Sequence, residues 1–128
     1  FAHPSHRLAR EVAAEAPFAA ALAPEGPPPD RGRSVLPPAG YAEILFALGA
    51  VEQDVRLQVY GHLLAGTAEV VEWVRGTLLT SFRQRLDGPT YEAFVGRYRQ
   101  RLGEELGDRR PYFYAFGRVL AWARFEVP

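Results

Sequence analysis

The side chains best suited to hold a small ligand lie in the middle and near the end of the sequence. They are Tyr60, His62, Trp73, Arg75, Thr77 and Arg118. Aromatic rings supply flat apolar walls, and a guanidinium holds a carboxylate through two parallel hydrogen bonds. The stretch 71 to 77 therefore looks like part of a binding pocket, although no cofactor motif or catalytic set accompanies it.

Three of these side chains also have a structural interpretation. Trp73 lies at helical spacing from Val70, as a core residue would. Arg75 is favoured near the end of a helix by the helix dipole, and Gly76 with Thr77 could simply separate two helices. Both interpretations stay open at each position.

The remaining candidates lie next to predicted strands. Tyr60 and His62 leave the end of a strand, a place that ligand sites often use, but a structural histidine fits there equally well. Arg118 opens a buried strand and needs an anionic partner, which is either a substrate or a carboxylate such as Glu43 or Glu52.

Composition excludes several classes of partner. The formal net charge is zero, so no long-range field attracts nucleic acid or a membrane surface. Cysteine is absent, which rules out a disulfide or thiolate site and is compatible with the cytoplasmic location expected for the protein. No apolar run approaches the roughly 20 residues that span a bilayer. His3 and His6 have no companions with metal-ligand spacing and are predicted to be surface residues.

Hydrophobic periodicity predicts helices over most of the chain. A helix of about ten residues begins near Pro4, a short helical turn covers 18 to 22, and the proline-rich stretch 23 to 38 is an extended loop. Further helices are expected at 41 to 48, at 70 to 74 with Thr67 as its cap, at 78 to 86, and at 89 to 106. In the last of these, Arg101 is placed to meet Glu105.

Two strands are predicted, at 51 to 60 and 119 to 125. The first alternates apolar and polar residues and should bury one face near a sheet edge. The second is almost continuously apolar, which is typical of a strand buried on both faces. Such a strand needs two neighbours, so one neighbour must come from another copy of the chain or from sequence outside it.

Several short motifs resemble the trans-aconitate 2-methyltransferase-type enzymes, which depend on S-adenosylmethionine. They are Pro4-Ser5-His6-Arg7-Leu8 with Arg10-Glu11, Pro17-Phe18, Tyr41-Ala42-Glu43-Ile44-Leu45, Tyr60-Gly61-His62, Glu72-Trp73-Val74-Arg75-Gly76-Thr77 and Phe116-Gly117-Arg118-Val119. The resemblance covers most of the chain and is carried by the order and spacing of the motifs. It implies that the chain is the C-terminal part of such an enzyme.

The fold implied by the resemblance is an α+β fragment of an α/β doubly wound class I methyltransferase, mainly a helical cap plus two C-terminal strands. Residues 1 to 62 would flank the sheet and add an edge strand, 63 to 107 would cap the substrate, and 108 to 128 would form the last strand. The substrate implied is a small polycarboxylate such as trans-aconitate, held by the six candidate side chains.

Two departures from the family pattern bear on function. The chain has no glycine-rich turn after a strand, so S-adenosylmethionine is expected to bind the parent enzyme but not this chain alone, which would be inactive. Ser81 stands where the family tends to have proline, which leaves the methyl acceptor open. The alternative hypothesis is a non-catalytic module that forms homo-oligomers by pairing exposed strand edges.

Overall fold

The computed structural model describes residues 3 to 128 as helices joined to one pair of long strands. Its elements are α1 (Pro4–Ala13), α2 (Phe18–Leu22), a 3-10 turn (Arg31–Ser34), α3 (Pro38–Ala47), β1 (Glu52–Leu64), α4 (Glu69–Arg75), α5 (Thr80–Arg83), α6 (Gly88–Leu106) and β2 (Tyr112–Arg124). Every predicted helix and both predicted strands occur. The 3-10 turn interrupts the loop that was predicted to be extended throughout.

Both strands are longer than predicted because they pair with each other along their whole length. The backbone N–H of Val51 donates to the carbonyl of Arg124 at 2.9 Å, and that of Thr67 donates to Arg109 at 3.0 Å. The start of one strand thus meets the end of the other, which makes the pair antiparallel. As a result β1 runs on past Tyr60 to Leu64, and β2 begins at Tyr112.

The predicted burial of the strands is wrong for this chain. Leu57 and Val59 of β1 are 46% and 55% exposed, and Trp122 of β2 is 53% exposed. The reason is that β1 and β2 are each other's sole neighbour in the two-stranded sheet of the described residues. The sequence of β2 is as apolar as that of an interior strand, but among the described residues β2 lacks the second neighbouring strand that would bury it.

Two compact units divide the described residues, and each strand contributes to both. The first contains residues 30 to 61 and 115 to 128, and the second contains 3 to 29 and 62 to 114. In the first unit α3 exposes Ile44 and Phe46, and its C-cap residue Leu48 is also exposed. The side-chain amide of Gln53 donates to the carbonyl of Ala42 at 3.1 Å. In the second unit the remaining helices form the core.

The longest helix, α6, supplies the apolar face on which that core is built. Its buried residues are Tyr91, Phe94, Val95, Tyr98, Leu102 and Leu106, which confirms the spacing of three and four expected from the sequence. Asp87 caps the helix by accepting the N–H of Thr90 at 2.8 Å. This hydrogen bond lowers the pKa of Asp87. Gly107 ends the helix at a φ of 72°, where glycine avoids the clash of a Cβ.

An ion-pair network joins α6 to α1. The guanidinium of Arg101 donates to Glu11 at 2.6 Å and to Glu15 at 2.9 Å, and that of Arg97 donates to Glu15 at 2.7 Å. Glu105 instead bonds with Arg7 of α1. The predicted pair of Arg101 with Glu105 is therefore wrong, because α1 packs beside this face of α6 and offers closer carboxylates.

Thr67 differs from its predicted role as a helix cap. The N-cap residue of α4 is Ala68, while the Thr67 hydroxyl accepts the backbone N–H of Arg109 at 3.0 Å. With the reciprocal bond from the Thr67 N–H to the Arg109 carbonyl, this closes the open end of the strand pair. No helix in residues 3 to 128 is long and apolar enough to cross a membrane.

Replacing Phe94 with alanine should destabilise the second unit strongly. The Phe94 side chain is fully buried and its ring lies 4.8 Å from that of Phe82 and 5.5 Å from that of Phe18. Loss of such a ring lowers the free energy of unfolding by roughly 3 to 5 kcal/mol. Urea unfolding would measure this change. Phe113→Ala is the control, because Phe113 is 64% exposed; equal losses for the two variants would contradict this description of the core.

Candidate functional site

The first unit brings two of the six predicted side chains together. The rings of Tyr60 and Phe116 stack across the two strands with centroids 5.6 Å apart. The guanidinium carbon of Arg118 lies 5.6 Å from the Tyr60 ring centroid and 5.2 Å from that of Phe116. A planar cation held over two rings in this way keeps its N–H groups available at its edge.

Arg118 does not have the environment that was predicted for it. It lies inside β2 rather than at its start, is exposed, and faces aromatic rings. Glu52, one of the predicted carboxylate partners, bonds with Arg124 at 3.1 Å. Phe116 was missed as a member of this group, although its position two residues before Arg118 places the two side chains on one face of a strand.

The second unit brings together His62 and Trp73. Their ring centroids are 4.3 Å apart, and the Trp73 ring lies 6.2 Å from that of Tyr114. Trp73 is 41% exposed, so it is not the core residue that its helical spacing also allowed. The result is a partly open wall made of an imidazole and an indole.

Arg75 and Thr77 contact other residues at the C-terminal end of α4. The Nε atom of Arg75 lies 3.8 Å from Glu72, one helical turn earlier, and the Thr77 hydroxyl donates to the Val74 carbonyl at 3.4 Å. These contacts match the structural interpretation of the Gly-Thr corner. Arg75 is half-buried, and its guanidinium has donors beyond this single contact.

A buried polar cluster surrounds the start of α1, and sequence reasoning missed it. His3 is 6% exposed and Ser5 is fully buried, so the prediction of His3 as a surface residue is wrong. The Nδ1 atom of His3 accepts the N–H of Ser5 at 3.1 Å and thereby caps α1. Its Nε2 atom lies 2.6 Å from the hydroxyl of Tyr112.

These bonds define the protonation of the imidazole. Because Nδ1 accepts a hydrogen bond, the hydrogen of the neutral ring is on Nε2, which donates to the Tyr112 hydroxyl. Burial lowers the pKa of His3 to about 4, with a smaller contribution from His6. His3 is therefore neutral at pH 7, and its neutral form fits both partners.

Two further tyrosines complete the cluster. The Tyr114 ring stacks on His3 with centroids 4.1 Å apart, its hydroxyl lies 3.2 Å from Ser5 Oγ, and the Tyr98 hydroxyl donates to the Ser5 carbonyl at 3.0 Å. Burial raises the pKa of all three tyrosines. The alternation of Tyr112 and Tyr114 along β2 was the available signal, since it places both rings on one face.

Two further features bear on other possible sites in the described residues. Residues 3 to 128 contain no group of three or more acidic or histidine side chains that could hold a metal ion. A cleft of about 230 Å³ in the second unit is lined by residues that include Val71, Arg99 and Leu102. None of the six predicted site residues lines this cleft.

Comparison with known proteins identifies several relatives that share one name. No protein-family model matches the chain. It is 40% identical to a trans-aconitate 2-methyltransferase of Streptomyces avermitilis over 128 residues, which is 99% of this chain and 46% of that protein. It is 43% identical to one of Methylobacterium nodulans over 117 residues, 91% and 42% of the two chains.

A third relative, from Deinococcus radiodurans, has the same name and is 44% identical over 86 residues, 67% of this chain and 33% of that protein. The chain belongs to the trans-aconitate 2-methyltransferase family. The resemblance drawn from the sequence motifs is thereby confirmed. The chain spans between a third and a half of the length of these relatives.

Methyltransferases typically use S-adenosylmethionine, and the strand-to-helix turn at Gly66 does not fit that cofactor. In this member of the trans-aconitate 2-methyltransferase family β1 leads into α4 through Gly66, the glycine that comes closest to a strand-to-helix turn. A Cβ at Gly66 would lie 3.3 Å from the Arg109 carbonyl oxygen, so the space beside this glycine is filled by the chain's own backbone. A turn that held the cofactor would leave that space open.

The buried imidazole predicts a specific acid sensitivity. Unfolded His3 titrates near 6.5 but folded His3 titrates at about 4, so the unfolded state binds the proton first and stability falls as pH drops from 6.5 to 4. His3→Asn keeps a helix-cap acceptor and should remove this contribution. Urea unfolding at pH 7 and pH 4.5 would measure it.

Carboxylates such as Glu11 and Glu15 titrate in both proteins, so their contribution cancels in the difference between the variant and the parent. If the variant loses as much stability between the two pH values as the parent, His3 is not buried in its neutral form.

Proposed function

We propose that the chain is the substrate-cap and C-terminal portion of an S-adenosylmethionine-dependent carboxyl O-methyltransferase that acts on a small polycarboxylate such as trans-aconitate. The similarity to relatives of that name carries the proposal. The aromatic support of the Arg118 guanidinium is in keeping with it, because a planar guanidinium with free edge donors suits a carboxylate.

The chemistry makes modest demands on these side chains. A carboxylic acid with a pKa near 4 is already ionised at neutral pH, so no general base is needed. S-adenosylmethionine, where it is bound, supplies an electrophilic methyl group. The work left to the protein is to hold the acceptor oxygen in line, to neutralise the other carboxylates of the substrate and to exclude water.

The candidate side chains divide into two kinds of role. Arg118 and Arg75 would hold carboxylates, since arginine is the only side chain with a permanent positive charge in this sequence. In the first unit the Tyr60 ring would form a wall. In the second unit the His62 and Trp73 rings would form a separate wall, with the Thr77 hydroxyl as a further donor. Trp73 is 41% exposed, so part of this residue is accessible for such a contact.

The proposal assigns separate tasks to three stretches of the parent enzyme. Residues 1 to 62 flank the sheet and add an edge strand, 63 to 107 form the substrate cap, and 108 to 128 add the last strand to a doubly wound sheet. Cofactor binding belongs to residues of the parent enzyme outside this chain, which agrees with the filled space beside Gly66. The enzyme would act in the cytoplasm, where this chain alone would be inactive.

Arg118→Ala in the full-length enzyme should raise KM for trans-aconitate about 30-fold, because losing a charge-assisted grip on a carboxylate costs about 2 kcal/mol. The KM values are measured from steady-state rates of methyl transfer from S-adenosylmethionine. Arg124→Ala is a matched control, since Arg124 is an exposed arginine of the same strand that pairs with Glu52. Equal KM values for the two variants would argue against Arg118 as a substrate ligand.

The exposed faces of the strand pair favour a second candidate, a non-catalytic module that assembles by strand pairing. Trp122 and Phe125 are 53% and 45% exposed near the end of β2, and an unpaired strand edge is a template for another strand. Light scattering of the isolated chain should then show a dimer or larger species that Trp122→Arg converts to monomer. A monomer at high concentration in the unsubstituted chain would refute assembly.

A further inference from the structure

The buried cluster at the start of α1 continues into the exposed wall of His62 and Trp73 through a series of ring contacts. His3 stacks on Tyr114 with centroids 4.1 Å apart, and Tyr114 lies 6.2 Å from Trp73 at an interplanar angle of 54°. Trp73 in turn lies 4.3 Å from His62. A side chain that fixes Tyr114 therefore also limits where the indole can lie.

The position of His3 is itself fixed by three contacts. One ring nitrogen accepts the Ser5 N–H and the other contacts the Tyr112 hydroxyl at 2.6 Å, while the ring itself stacks on Tyr114. The imidazole is held by α1 on one side and by β2 on the other. A side chain held on both sides can transmit a fixed position to the ring that it touches.

We propose that His3 is a positioning residue for the substrate wall: its imidazole fixes the Tyr114 ring, and Tyr114 fixes Trp73 beside His62. This inference rests on the proposed function, because it assumes that the wall of His62 and Trp73 faces a carboxylate substrate. The positioning itself depends on the contacts among these four rings and on the two hydrogen bonds that hold His3.

Tyr98 offers a matched control within the same cluster. Its hydroxyl donates to the Ser5 carbonyl at 3.0 Å, so Tyr98→Phe removes one buried hydrogen bond at the start of α1 without removing a ring of the series. His3→Asn keeps the cap acceptor for the Ser5 N–H but removes the ring that stacks on Tyr114. The two variants therefore separate a loss of stability from a loss of positioning.

The first measurement needs no activity. The full-length protein is labelled with 5-fluorotryptophan, and the fluorine signal of Trp73 is assigned by its disappearance in Trp73→Phe. His3→Asn should move or broaden the Trp73 signal and leave that of Trp122 unchanged, whereas Tyr98→Phe should leave both in place. A Trp73 signal that His3→Asn does not change, or that Tyr98→Phe changes equally, overturns the proposal.

The second measurement tests the link to substrate. If the wall contacts the acceptor, His3→Asn should raise KM for trans-aconitate about fivefold with kcat nearly unchanged, the size expected when one ordinary contact is lost. Tyr98→Phe should leave KM near its starting value. A displaced Trp73 signal with an unchanged KM would support His3 as the positioning residue and would count against the substrate role of the wall.

Discussion

The antiparallel pairing of β1 with β2 determines where the candidate binding side chains lie. The pairing extends from Val51 opposite Arg124 to Thr67 opposite Arg109. It places the Tyr60 ring against that of Phe116 in one unit. In the other unit it places the Tyr114 ring near that of Trp73. A shift of one residue would turn each of these rings to the opposite face. The contacts on Trp73 and on Arg118 both depend on this register.

The helices could be predicted from the sequence because their apolar residues repeat at helical spacing and their ends carry strong signals. In α6 the cap Asp87, the buried row from Tyr91 to Leu106 and the final Gly107 all agree. The strand ends could not be predicted in the same way, since pairing with a distant partner decides where a strand stops. This is why Arg118 was expected at the start of β2 and lies inside it.

The buried polar cluster shows a different limit of sequence reasoning. His3 precedes a helix and lacks metal-ligand companions, and both facts are typical of a surface residue. Its burial arises from Tyr112 and Tyr114, which are more than a hundred residues away in the sequence. A contact of that separation leaves no local signal, whereas the alternation of tyrosines in β2 does indicate which face of the strand is covered.

The ion pairs between α1 and α6 have a consequence for alkaline conditions. Arg7, Arg97 and Arg101 supply the positive charges of the ion pairs described above between the two helices, and the pKa values of Arg7 and Arg97 are raised by their carboxylate partners. Lysine in these positions would lose its proton near pH 10, but arginine stays charged. The ion pairs between the two helices therefore persist to higher pH than lysine pairs would, whereas acid that protonates Glu11 and Glu15 removes them.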